Sequence, residues 1–347
     1  MGIEGRWRSI VSKRVLITGG LGFIGAALSR RLAQSGYVVR VLDNGMRGSV
    51  ERLGPECESI HVVRADVRDS DAVHEAVRGC DMVCHLAYVN GTRYFYEKSD
   101  LVLDIAVKGM VNVLDACKAH RVKEFLLASS SEVYQTPAVI PTPEDVPLVV
   151  PDLHNPRYSY GGGKIISELL AIHVGACFMD RVVIVRPHNV YGPDMGWEHV
   201  IPELAVRIHG ATKAAGSAKA VVPFLGDGSQ TRAFVFIDDF VDGVCRVLER
   251  GEHKEVYHIG TTEETRIGEV ARLIAEHMGV DVRFTARPAP RGETAKRVPD
   301  IRKLRALGYA PRVDFRTGLS RTLDWYLAHI QEAPPVRPSQ PILTGAS

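Results

Sequence analysis

The chain has 347 residues, 45% hydrophobic and 24% charged, with a net charge of +2. That length supports one large domain or two coupled ones with a substantial core. The near-zero charge gives no electrostatic footprint for nucleic acid or an acidic membrane surface, and no apolar run approaches the roughly 18 residues of a membrane span. Cys57, Cys80, Cys84, Cys117, Cys177 and Cys245 are scattered and mostly inside apolar patterns. They read as reduced thiols of a cytoplasmic protein, with no metal site expected. The charged segment before Lys13 lacks the apolar stretch of a secretory signal.

Val15, Leu16 and Ile17 form an apolar run too short for a helix and predict a buried strand. Gly19, Gly22 and Gly25 then punctuate a turn that opens into a helical pattern over residues 23–32. The spacing suits a phosphate cradle. One glycine makes the tight turn, one lets a pyrophosphate approach the backbone, and one lets helix and strand pack closely. The helix N-terminus adds free N–H groups and the positive end of a dipole. A second strand over residues 38–42 ends in Asp43, near the distance of about 20 residues expected of a ribose-binding carboxylate.

Strand patterns recur at 60–64, 81–87, 123–128 and 181–186, with helical patterns at 70–78, 101–120 and after Lys164. This alternation predicts an α/β fold with a doubly wound parallel sheet, whose ligands bind at the carboxyl ends of the strands. Asp66 stands after the third strand, where an adenine-binding role and a helix N-cap are equally good readings. His85 reads as a packed strand-end residue. Beyond Arg186 the glycines and prolines at 192–193, 202, 210–220 and 223 predict loops and short helices. Residues 234–240 read as a strand before a helix over 241–250, and 256–260 as a further strand. Amphipathic helices at 267–278 and 315–330 flank a basic, Pro-rich stretch at 287–297. The expected organisation is a dinucleotide-binding domain over 12–186 and 232–262. A smaller, discontinuous C-terminal lobe, 187–231 and 263–331, would close over it, and 332–347 would form a disordered tail.

Tyr160 and Lys164 lie four residues apart and share a helix face. An ammonium beside a phenol favours phenolate and would make Tyr160 a base at neutral pH. Three glycines, 161–163, separate them and cost the helix roughly 1 kcal/mol each relative to Ala. Space must be needed there, as by a nicotinamide ribose and a sugar ring. Ser129, Ser130, Ser131 and Glu132 follow a strand directly, where a hydroxyl can bond the oxygen that Tyr160 deprotonates.

The glycine turn G-x-x-G-x-x-G, the segment S-S-S-E-V-Y, the pair Y-x-x-x-K and the turn R-P-H-N-V-Y-G-P together resemble the extended short-chain dehydrogenase/reductase family. The likeness is to its nucleotide-sugar epimerase/dehydratase branch and runs over about 14–326. It implies a Rossmann-type sheet and a nucleotide-diphosphate sugar as partner. Asp43 implies NAD over NADP, since a carboxylate repels a 2′-phosphate, although Arg40 and Arg47 lie nearby. By resemblance, Gly19, Gly22, Phe23, Ile24 and Gly25 hold the cofactor with Asp43, Asn44, Asp66 and Val67. Leu86, Ala87, His188, Tyr160 and Lys164 complete that set. Tyr160, Lys164, Ser130, Ser131 and Glu132 fall on catalytic positions. Tyr88, Arg93, Ser131, Asn189, Arg232 and Arg291 fall on substrate positions, the arginines for a diphosphate.

Three departures from the family matter. Ser131 replaces the acid of 4,6-dehydratases, whereas UDP-glucuronic acid decarboxylases and some epimerases carry Ser-Glu as here. Ala106-Val107-Lys108-Gly109-Met110 stands where many members carry N-V-x-G-T. The loop over 88–96 is rich in aromatics. The expected activity is epimerisation through a transient 4-keto sugar. Dehydration or decarboxylation is the runner-up, net reduction the third option, and a non-catalytic NAD-sensing scaffold the alternative of another class. Surplus apolar residues in the helices at 101–120 and 164–178, which pair across a two-fold axis in this family, imply a homodimer.

Overall fold

The computed structural model describes residues 13–287 and 296–335; Arg291 and most of the expected tail lie outside the described residues. The first half of the fold alternates β1 (Arg14–Thr18), α1 (Phe23–Gln34), β2 (Val38–Asp43), β3 (His61–Arg64), α2 (Ser70–Val77) and β4 (Met82–His85). Helix α3 (Ser99–Asp104) runs through a π turn, Ile105–Gly109, into α4 (Met110–Ala119). Then come β5 (Glu124–Ala128), α5 (Ser159–His173) and β6 (Arg181–Pro187), followed by α6 (Val200–Ala215), α7 (Ile237–Arg250) and β7 (Val256–Ile259). Helices α8 (Ile267–His277) and α9 (Phe315–Ala328) complete the main elements.

The seven strands form one parallel sheet in the order β3-β2-β1-β4-β5-β6-β7. This is the Rossmann-like arrangement expected of an alternating chain with right-handed crossovers. The registers Thr18↔Leu42, Thr18↔His85 and His85↔Leu127 level the carboxyl ends of the central strands. The residues that follow those strands therefore meet at one edge. The interior of the sheet is built from runs such as Val15, Leu16 and Ile17, each fully buried, as strands covered on both faces require.

Two hydrophobic clusters cover the faces. One lies among α2, α4 and α5. The other begins at α1 and α7 and continues without a break into Ile201 of α6, Val270 of α8 and Leu319 of α9. The elements that follow β6 thus share a core with the sheet.

Several expectations fail for local reasons. The single helix predicted over 101–120 contains the π turn, where the i→i+4 ladder gives way. Ser167 Oγ reaches Ala106 O there at 3.3 Å. Pro202 does not break the chain, because it sits in the first turn of α6, where no intrahelical N–H is required. Residues 237–240 begin α7 rather than continuing a strand, with Asp238 and Asp239 favoured at the positive end of its dipole. The pairing of Lys219–Leu225 with Asp281–Arg287 was not expected. Nor was the small sheet of Glu264–Arg266, Thr231–Ala233 and Lys296–Arg297.

Beneath the carboxyl edge, Arg186 of β6 grips Glu168 of α5 with Nε–Oε1 at 2.9 Å and Nη2–Oε2 at 2.6 Å, both side chains buried. Glu168 also accepts from the Ser129 hydroxyl. Breaking a buried pair leaves an uncompensated charge, so Glu168→Ala should lower stability by about 3–5 kcal/mol. Urea unfolding should show the loss, and it should shrink when Arg186 is replaced by Met in the same protein.

Candidate active site

The turn after β1 is pinned by Thr18, whose Oγ1 accepts from Leu86 N and Ala87 N, both at 3.2 Å. The same oxygen lies 2.8 Å from His85 Nδ1. Since Thr18 already accepts two N–H groups, its own proton goes to the imidazole. Burial pushes His85 down to about 3, so the ring stays neutral and acts as an acceptor. Gly19 has φ +72°, and a Cβ there would stand 2.8 Å from the Ala87 backbone. At Gly25 a Cβ would stand 2.1 Å from Gly19 O. Helix α1 starts on Gly22 with no side-chain cap and no acid in its first turn, leaving N–H groups for an external acceptor. Asp43 is buried at the end of β2, accepting from Leu21 N at 3.0 Å and Gly45 N at 2.8 Å. A pyrophosphate fits the uncapped turn, and ribose hydroxyls fit the remaining lone pairs of Asp43. Arg40 is turned away onto Ala76 O at 2.6 Å and leaves that ribose site alone.

Asp66 holds Asn44 Nδ2 at 2.9 Å and a two-pronged contact from Arg68, and these hydrogen bonds, Arg68's first, draw it down to about 2. It is not the cap of α2; Asp69 is. Asp66 therefore faces the cleft, whose volume is about 460 Å³. Phe23, Ile24, Asn44, Val67, Leu86 and Ala87 line the same cleft, as do Ser130, Ser131, Glu132, Tyr160, Lys164 and Asn189.

At the other end of the cleft the first turn of α5 lies against the turn after β5. Tyr160 is buried between Tyr88, edge-on at 5.0 Å between ring centroids, and Phe95, stacked at 4.9 Å. Burial pushes its hydroxyl up to about 12 despite a hydrogen bond with Ser130. Ser130 also caps the short 3₁₀ turn Ser131–Tyr134, accepting from Glu132 N at 3.1 Å. Lys164 points its Nζ at Ala128 O, 2.6 Å away, and burial pushes it down to about 7. The expected lowering of the phenol by this lysine is absent, because Nζ lies 5.9 Å from the Tyr160 ring and burial dominates both groups. Two of the three glycines make room for protein rather than only for ligand. A Cβ at Gly161 would stand 2.6 Å from Gln135 Nε2, and one at Gly163 2.2 Å from Tyr88 Oη.

Glu132 faces the cleft and is held by Arg297, with Nη2–Oε2 at 3.0 Å and a second contact from Nη1 to Oε1. Burial works to raise its pKa, but Arg297, with Arg157 and Arg232 behind it, outweighs that and keeps the carboxylate below its usual range. Arg297 and Arg157 both line the cleft and were missed from the sequence. Arg297 lies in the basic stretch that drew attention to Arg291, whereas nothing marked Arg157. Asn189, at φ +43°, donates to Ala233 O at 3.2 Å. Asn is among the few residues that accept such a conformation.

Three predicted positions lie off the cleft lining. Arg93 lies on the exposed side of the short helix Thr92–Glu97 and pairs with Glu97 at 2.8 Å, outside the cleft. His188 is buried behind the cleft wall, its ring 4.7 Å from that of His258, and neither ring nitrogen has a hydrogen-bond partner among the described residues. Arg232 donates to Thr231 O at 2.9 Å and sits in register with Arg297 on the neighbouring strand, set back from the cleft lining.

A family model described as the NAD dependent epimerase/dehydratase family matches residues 15–260. The chain is 31% identical over 328 residues to a UDP-N-acetyl-alpha-D-glucosaminuronate decarboxylase of Bacillus cytotoxicus, covering 91% of this chain and 98% of that protein. It is 30% identical to a dTDP-4-dehydro-6-deoxy-D-allose reductase of Streptomyces bikiniensis, covering 93% and 98%. Among solved structures, a dTDP-glucose 4,6-dehydratase of Streptomyces venezuelae with NAD bound superposes with a TM-score of 0.81 at 29% identity, covering 93% of this chain and all of that one. A UDP-glucose 4-epimerase of Thermotoga maritima gives the same TM-score at 25% identity, covering 91% and 99%.

A methyl group at position 25 would collide with backbone on which the cofactor turn depends. Gly25→Ala should therefore yield folded protein that has lost most of its NAD, measured by releasing and quantifying nucleotide from the purified variant.

Proposed function

The chain belongs to the NAD dependent epimerase/dehydratase family of nucleotide-sugar enzymes, and we propose that its substrate is a nucleotide-diphosphate uronic acid, oxidised at C4 and then decarboxylated. The observation that carries this reading is the cluster of Arg297 and Arg157 around Glu132 at the sugar end of the cleft. Arg297 and Arg157 line the cleft beside Glu132, with Arg297 in direct contact with that carboxylate. A sugar carboxylate would accept from the planar forks that arginine presents.

Bound NAD supplies one piece of chemistry, accepting hydride from C4 and holding it for return. The protein does the rest. Tyr160 Oη takes the proton of the C4 hydroxyl while Ser130 Oγ hydrogen-bonds the same oxygen. Positive charge brought to the phenol is what makes this possible, since burial alone keeps it protonated. Arg297 and Arg157 hold the carboxylate β to the new carbonyl. The bond from C5 to the carboxyl carbon then breaks, carbon dioxide leaves, and the electron pair passes into an enolate whose oxygen Tyr160 and Ser130 stabilise by hydrogen bonds. C5 then takes a proton from solvent water, and the C4 oxygen takes back the proton held by Tyr160 as C4 is reduced again. Ser131 offers no carboxylic acid to expel a hydroxyl, which weighs against dehydration. Epimerisation at C4 was the first expectation from sequence and becomes the second reading. It uses the same Tyr160 and Ser130 and needs no further acid or base.

We assign 12–186 with 232–262 to the cofactor and 187–231 with 263–331 to the nucleotide sugar. The cytoplasm is the proposed setting, with six free cysteines; among the described residues no helix is long and apolar enough to cross a membrane. A homodimer is also proposed. Leu103, Val107, Val111, Ile166 and Leu169 are exposed on the packed helices α3, α4 and α5 and their π turn, more apolar surface than water favours.

Product NMR after incubation with UDP-glucuronic acid, UDP-N-acetylglucosaminuronic acid, UDP-glucose and dTDP-glucose tests the activity. The expected product is a pentose-type sugar with release of carbon dioxide from a uronic acid. Turnover of neutral sugars alone would overturn the reading, and a C4 epimer would install the second. Arg297→Met should slow the uronic acid reaction by roughly 10–150-fold, the worth of hydrogen bonds to a charged group. Light scattering tests the assembly: a dimer for the native chain, and a monomer once Leu169→Arg places a charge on the shared face.

A further inference from the structure

The Lys164 ammonium has no carboxylate partner among the described residues, although it is buried. Glu168, one turn along α5, is committed to Arg186 and Ser129. His85, facing it from β4, is neutral. Tyr160, one turn before it, presents its ring at 5.9 Å. What lies against the ammonium is the ring of Tyr88, with Nζ 3.9 Å from its centroid, together with Ala128 O at 2.6 Å.

We propose that Tyr88 is a positioning residue for Lys164, its aromatic face seating the ammonium against the end of β5 so that it faces the cofactor cleft. Tyr88, expected to touch substrate, lines the cleft, and the geometry gives it this task in addition. Its own placement is fixed from two sides. The hydroxyl donates to Tyr160 O at 3.4 Å, and it occupies the space that Gly163 leaves, where a Cβ would stand only 2.2 Å from Oη. A glycine inside a helix is unfavourable by about 1 kcal/mol, and here that cost lets a phenol slide beneath the lysine. Ring quadrupole and ammonium attract most strongly when water is excluded, as it is at this depth. Removing the ring therefore disfavours the charged lysine, while removing the hydroxyl alone leaves the attraction intact.

The inference rests on the assignment of Lys164 to the site, not on the sugar it serves. The test is an NMR titration of the Lys164 ε-methylene in lysine-labelled protein without substrate, assigned by its loss in Lys164→Met. Tyr88→Phe should titrate like the native chain. Tyr88→Leu should titrate about one pH unit lower, the size of a desolvated cation–π contact. Binding of NAD by Tyr88→Leu should weaken with the same displaced pH dependence, whereas Tyr88→Phe should bind as the native chain does. An unshifted midpoint in folded Tyr88→Leu would overturn the proposal, as would equal shifts in both variants. If Tyr88→Leu does not fold, Gly163→Ala, which crowds the hydroxyl and displaces the ring, should give the same downward shift; no shift there is equally fatal.

Discussion

The site depends on how closely the first turn of α5 lies against the backbone that follows β5. Glycine at 161 admits Gln135 and the Glu132 carbonyl, and glycine at 163 admits Tyr88 and Ala106. With any larger residue at either position the helix would stand off. Tyr160 would then lose Ser130, and Lys164 would lose Ala128 O. Approach of this kind is bought with helix propensity, and the return is a phenol, a hydroxyl and an ammonium fixed by backbone rather than by long side chains. The Glu168–Arg186 pair supports the arrangement from beneath, tying the same helix to β6 and to Ser129.

Charge divides the cleft into two unlike halves. Around the glycine turn the fixed groups are backbone N–H donors with Asp43 and Asp66, arranged for a dinucleotide with free ribose hydroxyls. Around Glu132 they are guanidinium groups. The second half holds a buried carboxylate in an ion pair with Arg297, which compensates its loss of water.

Much of this was legible from residue order alone. Gly19, Gly22 and Gly25 announce a cradle because each needs space for a different reason, and alternating strand and helix patterns lead to a parallel sheet by elimination. Tyr160 with Lys164 is visible because a helix period puts them on one face. What could not be read was set by distant contact. Arg297 and Glu132 are 165 positions apart, and long-range contacts such as Thr142 N to Val298 O at 2.8 Å bring their segments together. Arg157 lies in a 3₁₀ turn, Pro156–Tyr158, too short to give a periodic signal. Arg93 looked like a ligand contact because its loop follows a strand of the sheet, but a helical turn hands it to Glu97. His188 follows β6 directly, yet its side chain turns inward toward His258. The lysine's effect on Tyr160 was misjudged because sequence shows neighbours and not burial.

The unbroken apolar cluster from α1 through α7 into α6, α8 and α9 has a mechanical meaning. Segments that share one interior cannot rotate as rigid halves about a hinge without exposing it. Admission of a nucleotide sugar must then come from local rearrangement of loops around the cleft mouth, which open at far lower cost than a core. The molecule works as a fixed frame with adjustable edges, and it should melt as one cooperative unit.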